Sequence, residues 1–422
     1  MRCVGLDFGT TNTAAALAEP GSEPRLVRFP TAEGPSAETF RSLLHVYRDD
    51  DSVVHVPAGP EALSTYLAAD PAGRLIQSLK SFLANASFET TVVEGRPYSL
   101  EDLIAAILRG VRSALPKDWL DDTRLVVGRP VTFVDAHDQD DDERAARRLR
   151  RAFELAGFGE LELLHEPVAA AWEYQQRLTA PEITLIADFG GGTTDLCLME
   201  LEPGASGGRV EVLGTAGLPI AGDVIDGRMV HELVAPALGE GTTFRSELGK
   251  ELPVPRWIYG HLERWHLVPF LGSPENLRLL SEIERGSDDQ EKIHALRQLV
   301  VENLGFDVHG AVQACKLALS QERHAEFRCE LPGLEIRRHV DREELEEWIT
   351  EELAAFAGAT DEFLVAQGLT HEQVGSVFLT GGSSLIPAVR RLYLDRFGDD
   401  RVRSGHELTS VASGLARRGL AA

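Results

Sequence analysis

The chain has 422 residues, of which 43% are hydrophobic and 26% are charged. At roughly 100 to 200 residues per domain, this length predicts two to four packed lobes, which excludes a small disulfide-stapled scaffold and a mainly disordered protein. Acidic residues outnumber basic ones by 67 to 42, and the resulting net charge is −25. Because that charge repels phosphate backbones and anionic lipids, we expect neither a nucleic acid nor a membrane as partner.

The cysteines indicate a reducing compartment. Cys3, Cys197, Cys315 and Cys329 form no CxxC pair and lie among apolar neighbours, so we predict buried free thiols rather than metal or redox sites. The N-terminus has no signal-peptide pattern, and no apolar run reaches the roughly 18 residues of a membrane span. We therefore expect a cytoplasmic protein.

A segment near the N-terminus is repeated near the middle of the chain. Residues 4–18 read VGLDFGTTNTAAALA, and residues 184–201 read TLIADFGGGTTDLCLMEL. In both, an apolar strand leads through Asp-Phe-Gly and two threonines into a second apolar strand, which predicts a hairpin. Because the same hairpin occurs twice, we predict a duplicated α/β architecture.

The other elements follow from local patterns in chain order. We predict a strand over 124–127 and a strand–turn–helix over 376–397, whose Gly-Gly-Ser-Ser turn lets a ligand such as a nucleotide approach the backbone. Residues 239–303 are less regular and rich in Trp, Pro and charge, so we interpret them as an insertion or subdomain. Further helices are predicted over 100–115, 142–156, 165–178, 274–285, 290–302 and 409–417.

The first hairpin turn has the composition of a phosphate site. Its glycine-containing backbone offers N–H groups to an anion, and threonine hydroxyls add donors. Asp7 can approach a phosphate only if a cation lies between them, which predicts Mg²⁺ held through water. A plain tight turn is the alternative, and the second copy of the pattern disfavours it. The turn consists of Gly9, Thr10, Thr11 and Asn12.

Other nucleotide motifs are absent from the sequence. It contains no GxxxxGK[ST] loop, and its two DFG triplets occur without the VAIK lysine or HRD loop of a protein kinase. No GxGxxG follows the first strand, which disfavours a dinucleotide site. Any phosphate clamp would therefore be built from hairpin turns.

Several ordered motifs together resemble the nucleotide-binding domain of DnaK-type heat-shock chaperones, within the actin-like ATPase superfamily. They read VGLDFGTTN, LLHEPVAAA, ADFGGGTTDL, LPIAGDVIDGRMV and FLTGGSSLIP. The resemblance covers nearly the whole chain apart from residues 239–303. Because we expect no interdomain linker and no β-sandwich peptide-binding domain, the chain is most similar to the shorter YegD-like branch.

The resemblance implies an α/β actin-like ATPase fold. Its two duplicated lobes each hold a mixed β-sheet flanked by helices, with inserted subdomains around a central nucleotide cleft. Lobe I is expected at residues 1–181, with an insertion at about 40–120. Lobe II is expected at residues 182–422, with an insertion at about 231–345.

The same resemblance assigns the phosphate and metal residues. Asp7 and Asp188 would hold the waters around Mg²⁺, whereas Asp195 and Thr193 would help a monovalent ion such as K⁺ or the attacking water. The first phosphate loop would be the Gly9 turn, and the second would consist of Gly190, Gly191, Gly192 and Thr193.

Lys80 and Glu166 are the remaining catalytic candidates. The chain has only five lysines among its 42 basic residues, so Lys80 in RLIQSLKSFLAN stands out. It matches the family's lysine that reaches the γ-phosphate, and the alternative is a solvated helix lysine. Glu166 matches a glutamate that senses phosphate and orients water, and the alternative is a first-turn acid favoured by the helix dipole. Pro130 in VGRPVTF matches the proline that couples nucleotide state to domain rotation.

The predicted adenosine site departs from the family pattern. Gln313 stands where glutamate is usual, Leu317 and Leu385 stand where arginines sandwich the base, and Leu408 replaces an aspartate. We therefore expect weaker ATP affinity or looser base selectivity. The resemblance implies adenosine contacts by Gln313, Lys316 and Ser320, with residues 382–385 across the base. The further nucleotide-binding residues that it implies are Gly222, Asp223, Gly381, Gly382, Ser383 and Ser384.

The resemblance implies an ATP-binding, slowly hydrolysing, chaperone-like ATPase whose output is lobe closure. Client proteins or cochaperones would bind lobe surfaces or residues 239–303, and we expect a monomer or weak oligomer. An actin-like filament protein is one alternative, since such proteins share these hairpins. A sugar or acid kinase of the same superfamily is another, although no sugar-binding constellation lies beside the first hairpin.

Overall fold

The computed structural model describes residues 2–31, 36–68, 73–119, 123–204, 208–405 and 409–421. Leu408, predicted to alter the adenosine site, lies outside these residues. By backbone contacts the chain divides into two units, of which the larger comprises Met1–Gly222 and Phe356–Ala422 and the smaller Asp223–Ala355.

The strands are, in chain order, β1 (Arg2–Phe8), β2 (Asn12–Ala18), β3 (Arg25–Leu26), β4 (Phe40–Arg41), β5 (Leu43–Arg48), β6 (Val54–His55), β7 (Arg74–Gln77), β8 (Thr90–Val93), β9 (Arg96–Ser99), β10 (Thr123–Arg129), β11 (Leu161–His165), β12 (Glu182–Phe189), β13 (Thr194–Leu201), β14 (Val210–Leu218), β15 (Thr243–Arg245), β16 (Glu251–Pro253), β17 (His324–Leu331), β18 (Leu334–Asp341), β19 (Ser376–Thr380) and β20 (Val402–Ser404). The helices are α1 (Pro60–Ala68), α2 (Leu100–Ala114), α3 (Gln139–Leu155), α4 (Glu166–Tyr174), α5 (Gly222–Leu233), α6 (Arg256–Glu263), α7 (Pro274–Gly286), α8 (Gln290–Val301), α9 (Gly305–Gln321), α10 (Arg342–Trp348), α11 (Thr350–Ala366), α12 (Pro387–Phe397) and α13 (Ser410–Ala421).

Two sheets of the larger unit have the same plan. In the first sheet the order is β11-β10-β1-β2-β3, with β11, β10 and β1 parallel and β2 and β3 antiparallel to their neighbours. In the second sheet the order is β20-β19-β12-β13-β14, with the same succession of parallel and antiparallel pairs. The duplicated α/β architecture predicted from the repeated hairpin is confirmed.

The parallel strands bring functional candidates to one edge of each sheet, because the carboxyl ends of parallel strands meet there. In the first sheet Asp7 lies near the end of β1, and Glu166 directly follows β11. In the second sheet Asp188 lies near the end of β12, and Gly381 directly follows β19. The fold thus places one carboxylate-bearing edge on each sheet.

Apolar packing covers both faces of the first sheet. On one face, α2 and α3 pack together over a cluster that includes Leu6, Ile107 and Phe153, all fully buried. On the other face, α13 packs against β1, β2 and α4. A Cβ on Gly414 of α13 would lie 1.7 Å from the carbonyl oxygen of Ala169, so only glycine permits this approach of α13 to α4.

The helix boundaries agree closely with the local sequence signals. At the start of α2, the Ser99 hydroxyl accepts a hydrogen bond from the Asp102 backbone N–H, and the Asp102 carboxylate accepts one from the Ser99 backbone N–H. These contacts satisfy two backbone donors that a helix start leaves unpaired. In α4, Pro167 occupies the first turn as predicted.

The smaller unit is more regular than the sequence indicated. Residues 239–303 contain the hairpin β15–β16 and the helices α6, α7 and α8, although only the last two helices were predicted. Prolines at 253, 255 and 269 interrupt the local periodicity, which explains why α6 was missed. Residues 231–345 all belong to the smaller unit, and their assignment as an insertion stays a prediction. The predicted lobe boundary at 181–182 and the insertion at 40–120 stay predictions.

All four cysteines are free and buried, as predicted. Within the described part of the chain, no helix combines the length and the apolar character needed to cross a lipid bilayer.

Candidate active site

The two repeated hairpins form closely similar turns. Residues 9–11 connect β1 to β2, and residues 190–193 connect β12 to β13. In the second turn the Gly190 N–H donates to the Thr193 carbonyl oxygen at 3.0 Å. Asp7 pairs with Ala14 across the first hairpin, whereas Asp188 pairs with Asp195 across the second. The second hairpin therefore carries one carboxylate more than the first.

The two turns and the Lys80 segment meet. A Cβ on Gly192 would lie 3.8 Å from the hydroxyl oxygens of both Thr10 and Ser81. Thr10 comes from the first turn, Gly192 from the second, and Ser81 follows Lys80. Three segments that are far apart in the sequence thus surround one space.

Lys80 forms a buried ion pair with Glu166. Lys80 lies in a 3₁₀ turn over Leu79–Phe82, preceded by Ser78 in the left-handed conformation. Its Nζ lies 2.6 Å from Oε1 of Glu166, and each residue is 8% exposed. Burial would lower the pKa of Lys80, but Glu166 and Asp7 outweigh burial and raise it. The alternative of a solvated helix lysine is therefore wrong.

Asp195 is a buried carboxylate with two defined donors. Its Oδ1 accepts a hydrogen bond from the Val131 backbone N–H at 2.8 Å, and its Oδ2 accepts one from the Thr193 hydroxyl at 3.0 Å. Burial and the neighbouring Glu166 nevertheless raise its pKa to about 7. Val131 directly follows Pro130, the residue predicted to couple nucleotide state to domain rotation. The backbone N–H next to that proline therefore contacts Asp195.

Asp7 and Asp188 are perturbed in the same direction. Burial and the charge of Glu166 raise the pKa of Asp7 to about 7, although Lys80 opposes the shift. Burial, with Glu166 and Asp195 nearby, raises the pKa of Asp188 well above its ordinary value. Strongly shifted carboxylates that cluster in this way are typical of functional sites.

These carboxylates fit the Mg²⁺ site that the resemblance implies. Asp7, Asp188, Asp195 and Glu166 together face one ammonium group, that of Lys80, so a divalent cation would balance the remaining charge. Hard oxygen donors are the ligands that Mg²⁺ prefers, and Mg²⁺ usually keeps several waters. Among the described residues, no three carboxylate, imidazole or thiol groups converge closely enough to ligate a metal directly. A water-mediated site is compatible with that spacing.

The Gly-Gly-Ser-Ser turn adjoins the second hairpin. Gly381 has a φ of 79°, and a Cβ there would lie 2.7 Å from Oδ1 of Asp188. The Ser383 hydroxyl lies 3.5 Å from the Gly190 carbonyl oxygen, and the Ser384 hydroxyl donates to Gly381 at 2.7 Å. The predicted Gly-Gly-Ser-Ser residues therefore lie beside the second turn, and their role in nucleotide binding stays a prediction.

The segment before α5 also reaches the second turn. The Gly222 N–H donates to the Gly190 carbonyl oxygen at 3.2 Å. Gly222 was predicted only from its motif, and this bond gives it a definite position beside the second turn.

The other predicted adenosine residues lie in the smaller unit. Lys316 lies 2.5 Å from Oδ1 of Asp226, and the Ser320 hydroxyl donates to the Lys316 carbonyl oxygen. Burial and Asp226 raise the pKa of Asp223 to about 6, while Lys316 opposes the shift. Gln313 is half-buried on the same helix as Lys316. Their role in binding adenosine stays a prediction.

Sequence reasoning missed Asp226 as the partner of Lys316. Asp223 and Asp226 are three residues apart on α5, a spacing that places two side chains on one helix face. Together with the rarity of lysine in this chain, that spacing was the available signal. The sequence carried no comparable signal for Val131, which contributes only its backbone N–H to Asp195.

The chain is similar to known proteins over most of its length. The family model described as Hsp70 protein matches residues 78–240 and 303–420. The chaperone protein DnaK of Methanothermobacter thermautotrophicus is 24% identical over 431 aligned positions, which cover 99% of this chain and 59% of that protein. The chaperone protein DnaK of Thermus thermophilus is 25% identical over 437 positions, covering 98% of this chain and 60% of that protein. The chain thus spans about three fifths of the length of these curated relatives.

Proposed function

Since this chain belongs to the Hsp70 family, we propose that it binds ATP with Mg²⁺ and slowly hydrolyses it to ADP and phosphate. The observation that carries this proposal is the buried Lys80–Glu166 pair, 2.6 Å apart, among the carboxylates of Asp7, Asp188 and Asp195. An exposed ion pair forms at little cost, but a buried pair is expensive to maintain and suggests a role beyond stability.

The two turns bind the phosphate chain in this proposal. Backbone N–H groups of the Gly9 and Gly190 turns donate to phosphoryl oxygens, and the threonine hydroxyls add further donors. Asp7, Asp188 and Asp195 hold the waters of Mg²⁺, which when bound neutralises charge on the phosphates. A K⁺ ion would bind beside Thr193 and Asp195 in the same proposed site.

Lys80 and Glu166 act on the reacting phosphate. The compact Lys80 ammonium stabilises the negative charge that develops on the phosphoryl oxygens, and Glu166 holds that ammonium in place. Glu166 has a second carboxylate oxygen, which orients the attacking water. Thr193 belongs to the second turn, and its hydroxyl donates to Asp195. In this proposal Thr193 also helps to position the attacking water next to the phosphate.

Lobe closure upon ATP binding is the proposed output, and client proteins or cochaperones are the proposed partners. They would bind lobe surfaces or residues 239–303, and the protein would act as a monomer or weak oligomer. We place it in the cytoplasm because its four buried thiols suit a reducing compartment. Chaperone activity is proposed because the curated relatives are named chaperones.

The test combines calorimetric titration of ATP and ADP, with Mg²⁺, and single-turnover hydrolysis. Replacing a donor that stabilises developing charge costs about 2.7–4 kcal/mol, so Lys80→Ala should retain nucleotide binding but hydrolyse ATP about 10²- to 10³-fold more slowly. Lys117→Ala is the matched control, because Lys117 is exposed in a 3₁₀ turn. Absence of ATP binding, or a hydrolysis rate in Lys80→Ala within tenfold of wild type, would refute the proposal.

A further inference from the structure

Arg41 lies directly beside the first turn, which consists of residues 9–12. In the ladder between β4 and β2, Arg41 pairs with Asn12, the residue at which the turn ends. The next residue, Ser42, donates its backbone N–H to the Thr11 carbonyl oxygen at 2.9 Å. The Ser42 hydroxyl also lies 2.9 Å from the hydroxyl of Thr13. The backbone of Arg41 is therefore held beside the turn by its pairing with Asn12 and by the contacts of Ser42.

The pairing register places Arg41 on the same face of the sheet as Asp7. Residues directly opposite each other in adjacent strands project from the same face, and alternate residues along a strand do so as well. Asp7 pairs with Ala14, so both share a face with Asn12, and Arg41 pairs with Asn12. With strands about 4.8 Å apart, the backbones of Arg41 and β1 are about 10 Å apart across β2.

The neighbour of Arg41 confirms this assignment of faces. Phe40 pairs with Thr13 and is buried on the opposite face, where its ring meets Phe29 at a centroid distance of 5.4 Å. Because adjacent residues in a strand alternate, Arg41 must leave the sheet on the face that carries Asp7.

Among the described residues Arg41, like Arg74, lacks the ionic partner that some other partly buried arginines of this unit have. Arg129 binds Asp142 at 2.7 Å, and Arg124 binds Glu162 at 2.6 Å. Over the described ranges, the half-buried guanidinium of Arg41 has neither an ion pair nor a hydrogen bond, and burial lowers its pKa. Withdrawing a cation from water without an anionic partner is unfavourable, so the arrangement indicates an anion that arrives with a ligand.

We propose that Arg41 binds a phosphoryl group held at the first turn, either the terminal phosphate of ATP or the inorganic phosphate released from it. This inference rests on the proposed nucleotide binding and adds a second cation to Lys80. A guanidinium suits this task because its planar fork donates two parallel hydrogen bonds to phosphoryl oxygens. Arg41 approaches from the outer edge of β2, whereas Glu166, the partner of Lys80, lies over Gly128 of β10 on the other side of β1. In this proposal the two cations flank the phosphate chain.

The test measures binding rather than turnover. Calorimetric titrations with ATP, with ADP, and with inorganic phosphate added to the ADP complex compare wild type with Arg41→Gln and Arg41→Lys. Arg25→Gln is the matched control, because Arg25 is an exposed arginine on β3, which pairs with the same edge of β2. A hydrogen bond to a charged group contributes about 1.5–3 kcal/mol, so Arg41→Gln should weaken binding about 10- to 100-fold and Arg41→Lys less.

The ligands distinguish the two phosphate sources. Weakened ATP binding with unchanged ADP binding identifies the terminal phosphate of ATP, and lost phosphate binding to the ADP complex identifies the released ion. If Arg41→Gln binds every ligand as Arg25→Gln does, the inference is overturned. If the wild type binds no nucleotide, the proposed function fails instead, and thermal unfolding with pyrophosphate decides the role of Arg41. Pyrophosphate should then raise the unfolding temperature of wild type but not of Arg41→Gln, and equal shifts would overturn the inference.

Folding of the variant is checked without ligand. Arg41→Gln removes a half-buried cation that lacks an ionic partner in the described residues, so it should unfold at the same or a higher temperature than wild type. A higher stability without ligand combined with weaker ligand binding is the opposite of what a purely structural arginine would give.

Discussion

The two repeated hairpins have the same strand register but differ in charge. Asp7 faces Ala14 across the first hairpin, whereas Asp188 faces Asp195 across the second. The first hairpin has Arg41 on its outer edge, in the strand that pairs with β2. The two copies of one turn therefore carry different side chains around a common backbone.

This difference in charge suits different roles for the two turns in the proposed site. A turn of backbone N–H groups can bind phosphate in either hairpin, because that interaction depends on the backbone alone. In the proposed site, Arg41 beside the first copy would favour the negative phosphate chain, and the additional carboxylate of the second copy would favour Mg²⁺. We infer that duplication supplied the scaffold and that side chains at a few register positions gave each copy its role.

The largest expected effect is on the free energy of unfolding, when a Cβ is added at the first glycine of each turn. A Cβ on Gly9 would lie 2.1 Å from the Asn12 carbonyl oxygen, whereas a Cβ on Gly190 would lie 3.1 Å from that of Thr193. Because the first contact is too short for any real Cβ, Gly9→Ala should lower the free energy of unfolding by about 3 kcal/mol and Gly190→Ala by about 1 kcal/mol. Urea unfolding followed by circular dichroism measures both.

Gly310→Ala serves as the control for these glycine variants. Nothing lies within 4 Å of a Cβ at Gly310, which is inside α9. Alanine is favoured over glycine inside a helix, so this variant should be about 0.5–1 kcal/mol more stable. Equal losses for Gly9→Ala and Gly190→Ala would mean that the two turns are equally tight, and the comparison would fail.

A smaller effect concerns the carboxylates of the second hairpin. Burial raises the folded-state pKa of Asp195 to about 7 from its ordinary value of 3.8, so the folded chain holds this proton more tightly than the unfolded chain. Stability from this group is therefore fully present below pH 3.8 and is lost as the pH rises towards 7. Wild type should lose free energy of unfolding as the pH rises from 5 to 7. In Asp195→Asn that loss should be smaller, by at most about 2.7 kcal/mol.

This measurement uses urea unfolding at several pH values in buffer containing a chelator, so that no Mg²⁺ neutralises the carboxylates. Asp50→Asn, at an exposed position, is the matched control and should leave the pH profile unchanged. A profile for Asp195→Asn that coincides with wild type would show that Asp195 does not hold a proton in the folded state.

The smallest effect concerns the base. Leu317 is 54% exposed and Leu385 is 42% exposed, and both stand where the resemblance places arginines that sandwich adenine. Stacking of a guanidinium on a base contributes about 1 kcal/mol, so Leu317→Arg should tighten ATP binding about threefold to tenfold. Leu248→Arg, at an 88% exposed position, makes the same charge change and should leave affinity unaltered. Equal gains in both variants would reflect net charge alone.

Much of the fold was predictable because its signals are local. The hairpins, the first turn of α4 with Pro167 and the start of α12 at Pro387 each depend on residues close together in the chain. The helix α6 was missed because flanking prolines obscured its periodicity. The site was predicted mainly through the resemblance. An aspartate at the end of a strand has the same local sequence pattern whether or not it helps to bind a metal ion.

The amino-acid sequence alone specified the two Asp-Gly-Thr turns and the strands around them, because apolar runs and glycines act within a few residues. Only the tertiary structure determined that Lys80 is buried against Glu166, 86 residues away, and that Asp195 accepts the Val131 N–H. It also determined that Arg41 pairs with Asn12. These contacts depend on the order of strands in the sheets, and the charge state of each group depends on burial, which no short stretch of sequence encodes.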